Sequence, residues 1–279
     1  MTNKMKILVI GDSCKDIFIY GEISRIAPEA PVPVIIPTKK ETNPGMAGNV
    51  HANLTALGAD VDLITNDEQI RKIRYIDERY NQMVLRVDEN DRCERYGGNH
   101  RTTPRGYGNY DAAVISDYNK GFLTEDDIAA WAETVECPVF LDTKKKLGDW
   151  CKDIDFIKIN SLEHQKNYET IPKYPSLKEK LIITKGKYGC EYQGKLYSTQ
   201  EVPVRDVSGA GDTFMAGLVV EYIKSKNIEK AIDFAQECTT EVVQKSGVAV
   251  INKPAAGEEM TELEEYCLKH NIDPYLQTR

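Results

Sequence analysis

The most informative segment of this chain is a glycine-rich turn, Asp206-Val207-Ser208-Gly209-Ala210-Gly211-Asp212-Thr213-Phe214, which runs into a helical apolar pattern. Gly209 and Gly211 permit positive backbone φ angles and a close approach to a ligand, so that N–H groups at the helix start converge on an anion. Asp212 is placed to accept a proton from a hydroxyl nucleophile, as phosphoryl transfer requires. A glycine-assisted helix start capped by Ser208 or Asp212 gives the same pattern without any function. The turn therefore indicates phosphoryl transfer only where other segments complete a site.

Short apolar segments alternate with helical patterns over most of the chain. Strands are predicted at residues 6–10, 61–65, 112–116, 139–141, 156–159 and 181–184, with a helical pattern after each of the strands at 112, 139 and 156. Further helices are predicted at residues 47–57, 211–225, 228–246 and 260–270. This alternation predicts an α/β fold, a doubly wound and mostly parallel sheet flanked by helices. Ligands of such sheets bind beyond the carboxyl ends of the strands, where these polar residues fall: Asp12, Asp117, Asp142, Asn160 and Lys185.

A smaller group of strands is predicted to form a lid. Prolines flank residues 32–36, and a strand that contains prolines is confined to a sheet edge. Residues 71–76 and 82–87 are typical of an antiparallel pair joined around residues 78–81. We therefore expect one domain over residues 1–279, with a small β lid from about residues 14–43 and 71–92.

Composition and charge exclude several classes of partner. The 279 residues are 41% hydrophobic, which is enough for a sizeable core, and their formal net charge is −8. An acidic protein is a poor partner for nucleic acid or for an acidic membrane, so neither is expected. The seven cysteines lie singly, without a Cys-x-x-Cys pair, which favours reduced thiols in a cytoplasmic protein. No apolar run approaches the length of a membrane span.

Seven ordered blocks of the sequence resemble the ribokinase-like (PfkB) carbohydrate kinases. The turn is similar to that family's C-terminal signature Asp-Thr-x-Gly-Ala-Gly-Asp, with Val207 in place of threonine. Other similar blocks are Gly11-Asp12, residues 114–121 and 141–144, and Asn160-Ser161-Leu162-Glu163. Two more resemble the branch that phosphorylates D-glycero-D-manno-heptose 7-phosphate at the C1 hydroxyl: Ser24-Arg25-Ile26-Ala27-Pro28-Glu29-Ala30-Pro31-Val32-Pro33-Val34 and Pro44-Gly45-Met46-Ala47-Gly48-Asn49-Val50.

The resemblance implies roles for the residues on the phosphoryl side. Asp212 would take the proton of the sugar hydroxyl, and charge on the transferred phosphoryl group would be received by the N–H groups of Ser208, Gly209, Ala210 and Gly211. Asn160 and Glu163 resemble the pair that organises hydrated Mg²⁺ near the phosphates of ATP, although an ordinary helix cap satisfies the same spacing. The nucleotide phosphates would lie along a turn that contains Thr184, Lys185, Gly186 and Gly189.

On the sugar side, the resemblance implies that Asp16 and Asn49 contact sugar hydroxyls and that Gly45 permits a close backbone approach. Met46 replaces the second glycine of the family's Gly-Gly pair. Arg25 and Lys144 are the candidates for binding the phosphate that the substrate already carries, since cationic side chains suit that anion. A surface Arg25 paired with Glu29 is an equally good interpretation of the arginine.

Two connections are shorter here than in the family. Residues 66–71 are too few for the helix and strand usual at that point, and residues 89–109 lack the apolar face of a helix. The bifunctional relatives carry a nucleotidyltransferase after the kinase, and too few residues follow Pro254 to form one, so we expect the kinase step alone. The reduced sheet cover and the small lid predict a homodimer joined through the lid.

Three functions stay open at this point. The first is an ATP- and Mg²⁺-dependent kinase whose small-molecule partners are a heptose phosphate and ATP. The second uses another sugar or a nucleoside; Met46 and the short connections argue for it, and the block at residues 24–34 argues against it. The third is a sugar-binding relative without turnover, which the intact turn at residues 209–212 argues against.

Overall fold

The computed structural model describes residues 4–98, 109–245 and 247–251. Its strands are β1 (Lys6–Gly11), β2 (Ser13–Ile26), β3 (Pro33–Met46), β4 (Asp60–Ile64), β5 (Ile70–Asp77), β6 (Gln82–Glu89), β7 (Ala112–Asp117), β8 (Val139–Thr143), β9 (Phe156–Asn160), β10 (Leu181–Thr184), β11 (Cys190–Tyr192) and β12 (Lys195–Tyr197). Its α-helices are α1 (Ala47–Ala56), α2 (Glu125–Thr134), α3 (Ser161–Lys166), α4 (Pro175–Lys180), α5 (Ala210–Ser225) and α6 (Ile228–Val242).

The larger sheet has the strand order β12-β11-β10-β9-β8-β7-β1-β4. From β10 to β4 neighbouring strands pair in parallel, and only β11 and β12 run antiparallel at one edge. Parallel strands are buried on both faces, and β1 shows this directly. Ile7 and Val9 pack in one apolar cluster with residues of α1, α5 and α6, while Leu8 and Ile10 pack in another with residues of α2. The predicted doubly wound α/β fold is confirmed.

The smaller sheet, called the lid sheet below, has the order β3-β2-β5-β6. Cross-strand partners project from the same face of a sheet. On one face Lys72 lies between Asp16 and Asp88, and that face turns toward the body of the protein, because Phe18 packs there with Val248. The opposite face carries two apolar rows: Ile17, Ile73 and Val87, then Ile19, Tyr75 and Leu85.

Several predicted elements differ from the structure. Residues 13–26 form β2, which is as long as β3, and these two are the longest strands of the lid sheet. Charged residues and Gly21 interrupt the apolar pattern of β2 in the sequence. Only a 3-10 turn, Asp149–Cys151, stands between β8 and β9 where a helical pattern was expected. Helix α6 ends at Val242, before the predicted end. The predicted helix at 260–270 lies outside the described residues.

Other predictions are confirmed. The proline-containing strand β3 lies at the lid edge, and β5 and β6 pair antiparallel. Residues 65–69 join β4 directly to β5, and residues 90–98 contain neither helix nor strand. The six cysteines in the described part of the chain are free thiols. None of the described helices has the length and apolar character needed to span a membrane.

Candidate active site

The glycine-rich turn opens α5 with free backbone donors. Gly209 has φ 78°, and a Cβ atom there would lie 2.5 Å from Asn49 Nδ2, so a larger residue would displace that side chain. Within the described residues the N–H groups of Gly209 and Gly211 have no acceptor, which leaves both available to an anion. Ser208 and Ala210 differ from the prediction: the Ser208 N–H donates to Asp206 Oδ1 at 2.8 Å, and the Ala210 N–H donates to the carbonyl oxygen of Val207 at 3.2 Å.

Asp212, in the first turn of α5, is almost fully buried, with 3% of its surface exposed. Its carboxylate accepts hydrogen bonds from Asn49 Nδ2 at 2.9 Å and from the Tyr118 hydroxyl at 2.7 Å. Burial raises the pKa of Asp212 to about 6, and the bonds from Asn49 and Tyr118 oppose that rise. A carboxylate with a pKa near neutrality is suited to accept a proton from a hydroxyl group.

A buried lysine that the sequence reasoning missed lies beside this turn. Lys158, in the middle of β9, bonds to Asp142 Oδ2 at 2.5 Å, and its ammonium also reaches the carbonyl oxygen of Gly211 at 3.3 Å. A Cβ atom on Gly211 would lie 2.9 Å from the ammonium, which explains the glycine there. A lysine within the apolar strand Phe156–Asn160 was the signal in the sequence, since buried lysines are rarely unpaired.

Tyr118, within the block at residues 114–121, connects the strand ends to Asp212. Its backbone N–H donates to the buried carboxylate of Asp12 at 2.7 Å, so the residue after β1 fixes the residue after β7. Its hydroxyl then reaches Asp212, and its ring lies beneath the ammonium groups of Lys72 and Lys144, at 5.1 and 4.9 Å from the ring centre. Polar residues thus meet beyond the carboxyl ends of β1 and β7, as the sequence predicted.

The pair Asn160 and Glu163 forms the helix cap that was the alternative to a metal site. Asn160 Oδ1 accepts from the Glu163 N–H at 2.9 Å, and Glu163 Oε2 accepts from the Asn160 N–H at 2.8 Å. Glu163 Oε1 additionally binds Lys144 at 2.6 Å. No cluster of three or more metal-ligating side chains exists among the described residues. One carboxylate and one carboxamide fit the outer hydration shell of a nucleotide-bound Mg²⁺, which keeps most of its waters, and not a dedicated metal cage.

Lys144 is therefore placed differently from the prediction. Its ammonium lies between Glu163 and Asp142, 3.2 Å from Asp142 Oδ1, and these carboxylates raise its pKa against the opposing effect of burial. A lysine already paired with two carboxylates is poorly available to a phosphate on the sugar.

A cleft lies beside the glycine-rich turn. Its volume is about 120 Å³, and it is lined by Thr184, Gly186, Gly189, Thr199, Ala210, Gly211, Phe214, Gln236 and Thr239. Of the predicted nucleotide residues, Lys185 points its ammonium to Glu191 at 2.5 Å. Gln236 is buried, and its Oε1 atom has no hydrogen-bond partner in the described structure. An orphaned acceptor in a cleft beside free N–H groups is consistent with a nucleotide pocket.

The predicted sugar residues lie together on the lid side. Asp16 is buried and paired with Arg74, and Cys14 Sγ donates to Asp16 at 3.8 Å. A Cβ atom at Gly45 would lie 2.1 Å from Asp16 Oδ2, which accounts for the glycine. Asn49, near the start of α1, donates instead to Asp212 Oδ2 and to the carbonyl oxygen of Gly209. Arg74 is a further residue that sequence reasoning missed.

Arg25 lies apart from these residues. It is exposed near the far end of β2, nine residues beyond Asp16, and an extended strand covers about 30 Å over that length. The prediction that Arg25 binds phosphate in this site does not agree with its position, because β2 continues as one long strand and carries the arginine away.

The sequence matches known carbohydrate kinases. The profile described as pfkB family carbohydrate kinase matches residues 128–255. The bifunctional protein HldE of a Nitratiruptor species is 30% identical over 308 aligned residues, which cover 94% of this chain and 65% of that protein. The chain thus spans less than two thirds of the length of this relative.

Solved ribokinases share the fold. The ribokinase of Thermotoga maritima matches with a TM-score of 0.67 at 16% identity, over 95% of this chain and 99% of that chain. The Arabidopsis thaliana ribokinase, solved with ribose and ATP, matches with a TM-score of 0.65 at 16% identity, over 91% and 98%. Residues 128–255 are thus similar to the pfkB family of carbohydrate kinases, most of the chain is similar to HldE, and the chain shares the fold of the ribokinases.

Proposed function

We propose that this protein transfers the γ-phosphoryl group of ATP to the C1 hydroxyl of D-glycero-D-manno-heptose 7-phosphate. The observation that carries the proposal is the position of Asp212, a buried carboxylate that accepts from Asn49 and directly follows Gly211, which lines the cleft. The HldE relatives support a heptose as the acceptor. The block at residues 24–34 supports the same branch.

In the proposed reaction the nucleotide occupies the cleft and the sugar lies under the lid sheet. Asp212 accepts the proton of the attacking hydroxyl, and Asn49 and Tyr118 hold the carboxylate in place through its two oxygens. The N–H groups of Gly209 and Gly211 receive the negative charge of the transferred phosphoryl group. Little more is required of side chains, since phosphoryl transfer depends mainly on alignment and charge neutralisation.

Magnesium would enter as the metal of the nucleotide substrate, where it neutralises phosphate charge. Glu163 and Asn160 are the residues proposed to bind its waters. Both already form the α3 cap, and Lys144 would remain beside them to balance the carboxylate.

The lid sheet supports a homodimer as the working form of the protein. Its outward face carries Ile19, Tyr75 and Leu85 side by side, and Leu85 is 54% exposed. A small sheet with an uncovered apolar face is marginally stable in water, so a second lid packed on this face would stabilise both. Each lid would then close over its own sugar residues and exclude water from the reacting group.

A coupled assay of ADP release over a panel of acceptors tests the proposed function. Heptose 7-phosphate is expected to give the highest kcat/KM, above hexose 6-phosphates, neutral heptose, ribose and nucleosides. Highest kcat/KM with a neutral pentose or a nucleoside would establish another kinase of this family in its place. No ADP release with any acceptor, in protein that binds the sugar, would establish a sugar-binding relative.

A further inference from the structure

Lys72 is a buried lysine on the lid sheet that faces the proposed sugar pocket. It lies in β5 with 8% of its surface exposed, in the cross-strand row that contains Asp16 and Asp88. Its ammonium is 5.1 Å from the centre of the Tyr118 ring, and the hydroxyl of that ring contacts Asp212. Lys72 is thus one side chain, that of Tyr118, away from the proposed base.

The carboxylates around Lys72 are paired with other cations. Each neighbouring cation has its own carboxylate: Arg74 pairs with Asp16, Arg86 binds Asp88 through two nitrogens at 2.7 and 2.8 Å, and Lys120 pairs with Asp91 at 2.6 Å. No carboxylate of the described residues forms an ion pair with Lys72. Burial lowers the pKa of Lys72, and the charges of Arg86 and Lys120 act in the same direction against those of Cys14 and Asp16.

An unpaired buried ammonium is costly to a folded protein, and such groups are concentrated at binding sites. A bound anion would supply the missing charge. In the proposed reaction the transferred phosphoryl group is already served by the N–H groups of Gly209 and Gly211 at the start of α5. The anion expected at Lys72 therefore belongs to the molecule that occupies the lid side, which is the acceptor.

We propose that Lys72 binds a phosphate monoester carried by the acceptor sugar. This inference rests on the proposed function, and it assigns the phosphate contact to the lid sheet in place of Arg25 and Lys144. A phosphate dianion offers three strong acceptor oxygens to an ammonium in a water-poor site, where charge-assisted hydrogen bonds are strongest. The same lysine discriminates against neutral sugars, which would leave it unpaired.

The test is calorimetric binding of heptose 7-phosphate and of neutral heptose to the full chain. Lys72→Met keeps the apolar stem and removes the charge, while Lys72→Arg keeps the charge. Arg71→Met is the matched control: Arg71 is the adjacent β5 residue, projects from the opposite face and pairs with Glu89 at 3.4 Å. Steady-state KM for ATP is measured in all four proteins.

Lys72→Met is expected to weaken binding of heptose 7-phosphate about 10- to 100-fold, the loss typical of one hydrogen bond to a charged group. Binding of neutral heptose and the KM for ATP should stay unchanged, Lys72→Arg should recover part of the affinity, and Arg71→Met should match the wild type. Equal weakening for both sugars, or no weakening for the phosphate, would overturn the inference while the proposed function stands. A wild-type protein that binds neutral heptose and no sugar phosphate would contradict the proposed function itself.

Discussion

The hydroxyl of Tyr118 donates to the buried carboxylate of Asp212 at 2.7 Å, across 94 positions of the chain. This bond stabilises the ionised form of Asp212 and so acts against the rise in pKa that burial causes. The residue that follows β7 thereby lowers the pKa of the carboxylate in the first turn of α5.

The first prediction concerns pH. Asp212 must be ionised to accept a proton, so kcat/KM should be full above its pKa and fall as the pH drops through about 6. Tyr118→Phe removes a bond that lowers this pKa, and the acidic limb should therefore move to higher pH. Tyr168→Phe, on an exposed residue, should leave the limb in place. If the acidic limb of kcat/KM in Tyr118→Phe stays at the wild-type pH, Tyr118 does not lower the pKa of Asp212.

The second prediction concerns the buried pair Lys158 and Asp142, whose side chains are 4% and 2% exposed. Lys158→Met leaves a carboxylate buried with a weaker partner, and should lower the free energy of unfolding by about 3–5 kcal/mol in a denaturant titration. Lys152→Met is the control, since its exposed pair with Asp153 at 3.9 Å should contribute less than about 1 kcal/mol. Equal losses of unfolding free energy in the two variants would show that the buried pair stabilises the fold no more than the exposed pair does.

The third prediction separates the two interpretations of Glu163. Glu163→Gln should raise the Mg²⁺ concentration needed for half-maximal activity if the carboxylate binds the hydrated metal. The capping box of α2, formed by Thr124 and Asp127, has the same geometry away from the site, so Asp127→Asn provides a control for loss of a cap alone. If both variants leave the Mg²⁺ titration unchanged, Glu163 serves only as a helix cap.

The fourth prediction concerns assembly. The wild-type protein should sediment as a dimer at micromolar concentration, and Leu85→Asp should shift it toward the 31.5 kDa monomer by placing a charge in the apolar row. Leu196→Asp, equally exposed on β12, should have no effect. A wild-type monomer with full kinase activity would contradict the lid-to-lid dimer.

The sequence predicted the features that depend on local pattern. Apolar segments indicated the parallel sheet, and the turn at Gly209 and Asp212 indicated where the proposed base lies. The sequence did not predict the long-range pairings, because they depend on which elements become neighbours in the fold. These pairings are Lys158 with Asp142, Tyr118 with Asp212 and Arg74 with Asp16. Arg25 was misassigned because the length of β2, which carries it away from the pocket, is hidden by its irregular pattern.

The central claim is that Asp212 is the base of a sugar kinase, and Asp212→Asn tests it most directly. An amide cannot accept the hydroxyl proton, so kcat for heptose 7-phosphate should fall by about 10²- to 10⁴-fold. The dissociation constant for the sugar and the melting temperature should change little, as they should in the control Glu221→Gln on the same helix. Near wild-type kcat in Asp212→Asn would contradict the account.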